Sequence, residues 1–243
     1  MTQRHIALEG SVNFRDLGGY ATVDGQHTRW GVLFRADGLG ELTGADLGIM
    51  GELGIRTVID LRSDHEVGQN RFDTTAHPVA FFHIPFIDEL PNADEWDRKP
   101  GLLGSQYKAM LDDATDQIAA ALAALVATDA TPAVFHCTAG KDRTGLLAAL
   151  VLSLVGVPEE TVVADYALSG AAMERLRAKL ILKYPDGRDV IADLDEVFSA
   201  DPSNMVALLA HLRDRYGSIT DYAAKIGVAD DVIDRLRTLL LGL

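Results

Sequence analysis

The stretch that most restricts the fold is TPAVFHCTAGKDRTGLLAALVLSLVG, residues 131–156. A short apolar run leads to Cys137, a polar loop containing Gly140 follows, and from Thr144 to Val155 the chain is apolar on nearly every side. A continuously apolar strand and a helix with almost no polar face both need cover all round, which points to a sheet with helices packed against it.

The neighbouring segments agree. TRWGVLFRA (28–36), RTVIDLR (56–62) and AFFHIPF (80–86) read as strands, and Thr43 with Asp46 forms a capping-box pattern opening a helix that Gly54 ends. Helical spacing predicts one long helix over 105–128 and another over 158–184, with YPDGRD as a break. Asp201 and Pro202 are placed to start a third, and two short helices close the chain. RDLGGY (15–20) reads as a turn. Strands alternate with helices in the first two-thirds, which predicts an α/β fold with a mainly parallel central sheet flanked by helices and a helical C-terminal third.

At 243 residues with 48% hydrophobic content, the chain is expected to form one domain, 1–243. The longest apolar run is too short for an integral membrane segment and no signal region is visible, so a cytoplasmic protein is expected. A formal net charge of -14 opposes nucleic-acid binding, so a phosphorylated ligand must be drawn by a local site. The single cysteine excludes an internal disulfide and a Cys-cluster zinc site, and His65, His83 and His211 have no ligand spacing. No metal and no cofactor are expected.

The loop itself is C-x2-G-x2-R-T. A loop feeding a helix N-terminus turns free N–H groups on an anion, and the helix dipole adds positive potential that also favours a thiolate. Cys137 is therefore the candidate nucleophile. Arg143 offers a forked clamp for a phosphoryl group, and the Thr144 hydroxyl can donate to the departing sulfur. Thr138, Ala139, Gly140 and Lys141 line the cradle, with the Lys141 ammonium as a second cation beside the phosphate. Inorganic phosphate is expected to bind here. A Walker nucleotide loop is excluded, because Asp142 stands where the magnesium-binding Ser/Thr belongs.

With His136 in front, the loop resembles the cysteine-dependent protein-tyrosine phosphatase superfamily, whose signature is HC-x5-R followed by Ser or Thr. NFRDLGGY (13–20) resembles its atypical bacterial branch, as do DLRS, HIPF, VVADY and YGS. The resemblance implies hydrolysis of phosphotyrosine, of phosphoserine or phosphothreonine, and of phosphoinositides through a cysteinyl-phosphate, so the partners are phosphorylated proteins or phosphoinositides. A general acid is needed to protonate the leaving oxygen. The resemblance points to Asp142, with Asp88 as the alternative, and Arg15 and Asp16 are candidates for bracing the loop. It also implies that residues 169–200 form a helical lid. The alternative from a different class is a catalytically silent phospho-binding module, which the intact Cys137, Arg143 and Thr144 argue against.

Overall fold

Residues 3–87 and 102–242 are described by the computed structural model. Among the described residues five strands form one sheet in the order β1-β2-β5-β3-β4, with β1 (Arg15–Asp16), β2 (Leu33–Ala36), β3 (Thr57–Asp60), β4 (Ala80–His83) and β5 (Ala133–His136). All neighbouring pairs are parallel except β1 with β2. β5 lies between β2 and β3, with Leu33, Thr57 and Ala133 in register.

The side-chain alternation of these strands separates two cores. Leu33, Ile59, Phe135 and Cys137 point to one face. There they meet α4 (Thr115–Leu125), α5 (Asp142–Leu154), and the C-terminal helices α9 (Pro202–Tyr216), α10 (Ile219–Lys225) and α11 (Asp230–Leu241). Phe34, Ala36, Val58 and Val134 point to the other, covered by α1 (Gly44–Glu52) and the chain around Phe14 and Phe72. α5 is buried along almost its whole length, as its sequence demands.

The expected α/β architecture is present, with differences in detail. RDLGGY is not only a turn, because Arg15 and Asp16 pair with Arg35 and Phe34. Two residues carry no readable period. The helix predicted over 105–128 is two, α3 (Leu102–Asp113) and α4, bent at Ala114, where φ and ψ are −89 and 34. Hydrogen bonds continue across the bend, so Leu111 and Ile118 both stay in the core. The helix predicted over 158–184 divides at Leu168 into α6 (Glu159–Ala167) and α7 (Ser169–Lys183). A single 3-10 turn and α8 (Arg188–Asp193) follow. The six-residue α2 (Asp64–Gln69) is too short to show a helical period, and Ser63 and Glu66 form its capping box.

Candidate active site

In a parallel sheet the carboxyl ends of the strands open a crevice where the chain crosses over in opposite directions, and β5 with a parallel neighbour on each side sits at such a point. The loops after β2, β3 and β5 converge there. Cys137 is the first residue beyond β5 and is 1% exposed.

Three consecutive carbonyls of the loop are held by groups outside it. The Gly38 N–H donates to the Thr138 carbonyl at 3.1 Å, Asn13 Nδ2 to that of Ala139 at 3.0 Å, and Arg35 Nη2 to that of Gly140 at 2.7 Å. In a trans peptide the N–H points away from its carbonyl, so fixing these oxygens outward turns the N–H groups of Ala139, Gly140 and Lys141 to the opposite side. None of the three donates to a protein acceptor among the described residues. Together with the N-terminus of α5 they make an anion-binding concavity. Gly140 has φ +67, and a Cβ there would lie 2.6 Å from the Ala36 carbonyl and the Asp37 nitrogen, so no other residue fits.

Arg143 opens the helix with its side chain turned back. Its Nη1 and Nη2 donate to the two carboxylate oxygens of Glu66 at 2.6 and 2.8 Å, which leaves Nε–H without a partner among the described residues. Glu66 also accepts from the Thr138 hydroxyl and from the Ser63 N–H at 2.9 Å. Burial alone would raise the Glu66 carboxyl, but the Arg143 guanidinium outweighs it and carries it down to about 2. Burial works against the charge of Arg143 as well, and Glu66 reverses that, holding it above its usual value. The loop is thereby tied through α2 to β3.

His136 is fully buried, with Nδ1 3.2 Å from the Cys137 carbonyl and Nε2 3.6 Å from Asp60. Burial lowers it to about 4 despite Asp60, so it stands neutral behind the thiol. Asp60 in turn binds Arg62 at 2.7 Å. Asp142 accepts from the Tyr107 hydroxyl, which is 2.7 Å from that of Tyr166. Its other oxygen has no hydrogen-bond partner among the described residues, and the side chain is 26% exposed. The Thr144 hydroxyl is buried and unpartnered among the described residues.

Two expectations need correction. The Lys141 ammonium does not stand beside the cradle. It is fully buried and donates to the carbonyls of Val197 at 2.6 Å and Ser199 at 2.9 Å, because a buried ammonium needs acceptors. What Lys141 offers the cradle is its N–H. Asp16 does not brace the loop either, since it caps the Gly18 and Gly31 N–H groups at 2.7 Å each. Arg15 acts at one remove, through Asp165 and through Asn13, whose side-chain oxygen it donates to. Asp88 lies outside the described residues.

Sequence reasoning missed Glu66, Arg35, Asn13 and Asp165. Two signals were available: the Ser63-x-x-Glu66 capping box directly after a strand, and an arginine within the otherwise apolar run VLFRA.

A cleft of about 580 Å³ opens beside the loop. Gly38, Arg62, Glu66 and Thr138 line one side, and Leu176, Lys179, Leu180 and Tyr184 of α7 and its end the other. Lys179 and Lys183 both pair with Glu41 across it, at 2.5 and 3.3 Å.

Residues 6–242 match the profile of the tyrosine phosphatase family. The chain is 29% identical, over an alignment of 276 residues, to the "Triple specificity protein phosphatase PtpB" of Mycobacterium tuberculosis, covering 97% of this chain and 98% of that protein. It is 30% identical over 226 residues to a tyrosine-protein phosphatase of Nostoc commune, covering 85% and 73%. A crystal structure of P. aeruginosa TpbA in complex with pTyr aligns with a TM-score of 0.36 and 15% identity over 97% of this chain and 94% of that one, a likeness that adds nothing to the assignment. The family match runs almost end to end and takes in both the loop and NFRDLGGY, so the chain belongs to the tyrosine phosphatase family and is a phosphatase.

Proposed function

We propose that the chain hydrolyses phosphate monoesters through a cysteinyl-phosphate on Cys137, with phosphotyrosine, phosphoserine or phosphothreonine, and phosphoinositides as substrates. The observation that carries this reading is the set of three outward-pinned carbonyls, which leaves the N–H groups of residues 139–141 free for a phosphoryl group directly beside the thiol.

The Cys137 thiolate attacks phosphorus while the bond to the leaving oxygen breaks, and Asp142 gives that oxygen its proton. The resulting Asp142 carboxylate then takes a proton from water, which attacks phosphorus, and the P–S bond breaks to release phosphate and the thiolate. The Arg143 Nε–H faces the charge that develops on the phosphoryl oxygens, while Glu66 holds the other edge of the guanidinium. The Thr144 hydroxyl supplies a donor for the departing sulfur, and Tyr107 fixes the Asp142 rotamer. Residues 169–200 act as a lid whose helix α7 forms the far wall of the cleft. The breadth of substrates is supported by that cleft, about 580 Å³, and by the name of the mycobacterial relative, a triple specificity protein phosphatase.

The test is phosphate release from a panel of phosphopeptides and phosphoinositides, beside Cys137→Ser. That variant should turn nothing over and still bind inorganic phosphate, and the unaltered protein quenched in acid should carry a phosphate on Cys137 by mass spectrometry. Turnover by Cys137→Ser would reject the mechanism.

A further inference from the structure

Arg35 occupies the middle of β2 and none of its side chain is exposed. It pairs with Phe135 across the sheet, so it points to the same face as Phe135 and, two residues on, Cys137. Its Nη2 holds the Gly140 carbonyl at 2.7 Å and its Nη1 holds Asp165 Oδ2 at 2.6 Å, while Nε has no partner among the described residues. Arg15 reaches the same carboxylate, with Nε 3.2 Å from Asp165 Oδ1 and Nη2 2.9 Å from the Asp165 carbonyl. Beyond a longer approach of Arg15 Nη2 to Oδ2 at 3.5 Å, the remaining contact of this carboxylate among the described residues is the Tyr20 hydroxyl at 2.8 Å, a neutral group.

Two buried guanidinium groups therefore share one carboxylate, and one positive charge is left over. The strain on that arrangement falls on Arg35, whose own affinity for its proton drops to about 10 through burial first and the repulsion of Arg15 second, with Asp165 acting in the opposite sense. Two other cations bordering the loop have a carboxylate of their own. Glu66 has Arg143 and Asp60 has Arg62, while Asp142, the proton donor, lies 3.4 Å from the Lys141 ammonium, which is held by the carbonyls of Val197 and Ser199. The Asp37 carboxylate has no cation partner among the described residues and is held by neutral donors, the Ser11 hydroxyl and the N–H groups of Val12 and Asn13. The anions left to meet the surplus charge are the Cys137 thiolate, which favours the charged form of Arg35, and the ligand in the cradle, on the far side of the Gly140–Lys141 peptide.

We propose that Arg35 is a positioning residue that sets the anion affinity of the loop, and that Arg15 and Asp165 hold its uncompensated charge against the back of Gly140. It acts twice through one guanidinium. The hydrogen bond to the Gly140 carbonyl aims the Lys141 N–H, and the surplus charge adds a field that favours a dianion in a buried, weakly screened place. This rests on the reading that the loop holds the phosphoryl group.

The experiment is calorimetric titration of inorganic phosphate into the full chain carrying Cys137→Ser, so that binding is read without turnover. In that background Arg35→Gln, which keeps an amide donor but no charge, should weaken phosphate binding about tenfold, and Arg35→Lys should stay within about threefold. Arg15 also donates to Asn13, which holds the Ala139 carbonyl, so its charge is read by comparing Arg15→Gln with Arg15→Lys, and the Gln variant should bind about three- to fivefold more weakly than the Lys variant. Asp165→Asn leaves both cations and should not weaken it. Equal binding in the two Arg15 variants, or a loss in Asp165→Asn equal to that in Arg35→Gln, overturns the charge role. Far-UV circular dichroism and melting establish folding, and should Arg35→Gln not fold, the Arg15 and Asp165 variants decide the question between them. Failure of Cys137→Ser itself to bind phosphate would reject the loop reading, and the present proposal with it.

Discussion

At the scale of single residues the clamp on Arg143 is as informative as Arg143 itself. Replacing Glu66 by Gln leaves a buried guanidinium without its counter-charge, so catalytic efficiency (kcat/KM) should fall by about ten- to a hundredfold, measured on an aryl phosphate. The same pair makes a prediction about acid. The Glu66 carboxyl sits at about 2 in the fold against an ordinary 4.5, so its stabilisation is fully present above 4.5 and is lost as pH falls toward 2. The difference in Tm between pH 6 and pH 3 should therefore be smaller in Glu66→Gln than in the unaltered protein. Asp142→Asn should slow phosphotyrosine hydrolysis far more than hydrolysis of an aryl phosphate with an acidic phenol, and equal losses would make Asp142 a structural residue. Cys137, Gly140 and Arg143 were legible because the loop closes on itself within seven residues. Glu66 stands 77 residues from Arg143 and Asp165 130 from Arg35, distances over which no spacing rule operates.

At the scale of elements, α7 is joined to the mouth of the cleft by Lys179 and Lys183 on Glu41. These pairs are exposed, so salt weakens them. If the helix is a movable cover, kcat/KM on a bulky aryl phosphate should rise about two- to threefold between 0.05 and 0.5 M NaCl, and Glu41→Gln should start high and stay flat. A rise of the same size in the variant would detach the salt effect from α7. The amphipathic pattern of 169–200 indicated helices but not what they cover. Leu176 and Leu180 face the cleft, whereas Met173 goes into the core, a division that depends on where the loop after β5 lies. The bend at Ala114 has the same origin, since Leu111 and Ile118 are directed by the shape of the core they enter rather than by any local stop signal.

At the scale of the whole molecule, the loop after β5 is a junction. The N-terminal segment through Asn13, β2 through Arg35, α2 through Glu66 and the segment after α8 through Lys141 all fasten to residues 138–143. A ligand that fills the loop should therefore stabilise the entire fold. Phosphate at a hundred times its Kd should add about 2.7 kcal/mol and raise Tm by roughly 5–10 °C, and Arg143→Ala should abolish most of that shift, as read by differential scanning calorimetry. The sequence by itself determined the alternation of strands and helices, the buried character of β5 and α5, and the thiol, glycine and arginine between them, because each of these is a local pattern of polarity and spacing. Only the tertiary structure decided that Lys141 turns away to the carbonyls of Val197 and Ser199, that Glu66 grips Arg143, and that Arg15 and Arg35 share Asp165. The physical reason is common to all three. A buried charge takes whichever partner the packed chain brings within about 3 Å, and that choice is made by the sheet order and not by the neighbours in sequence.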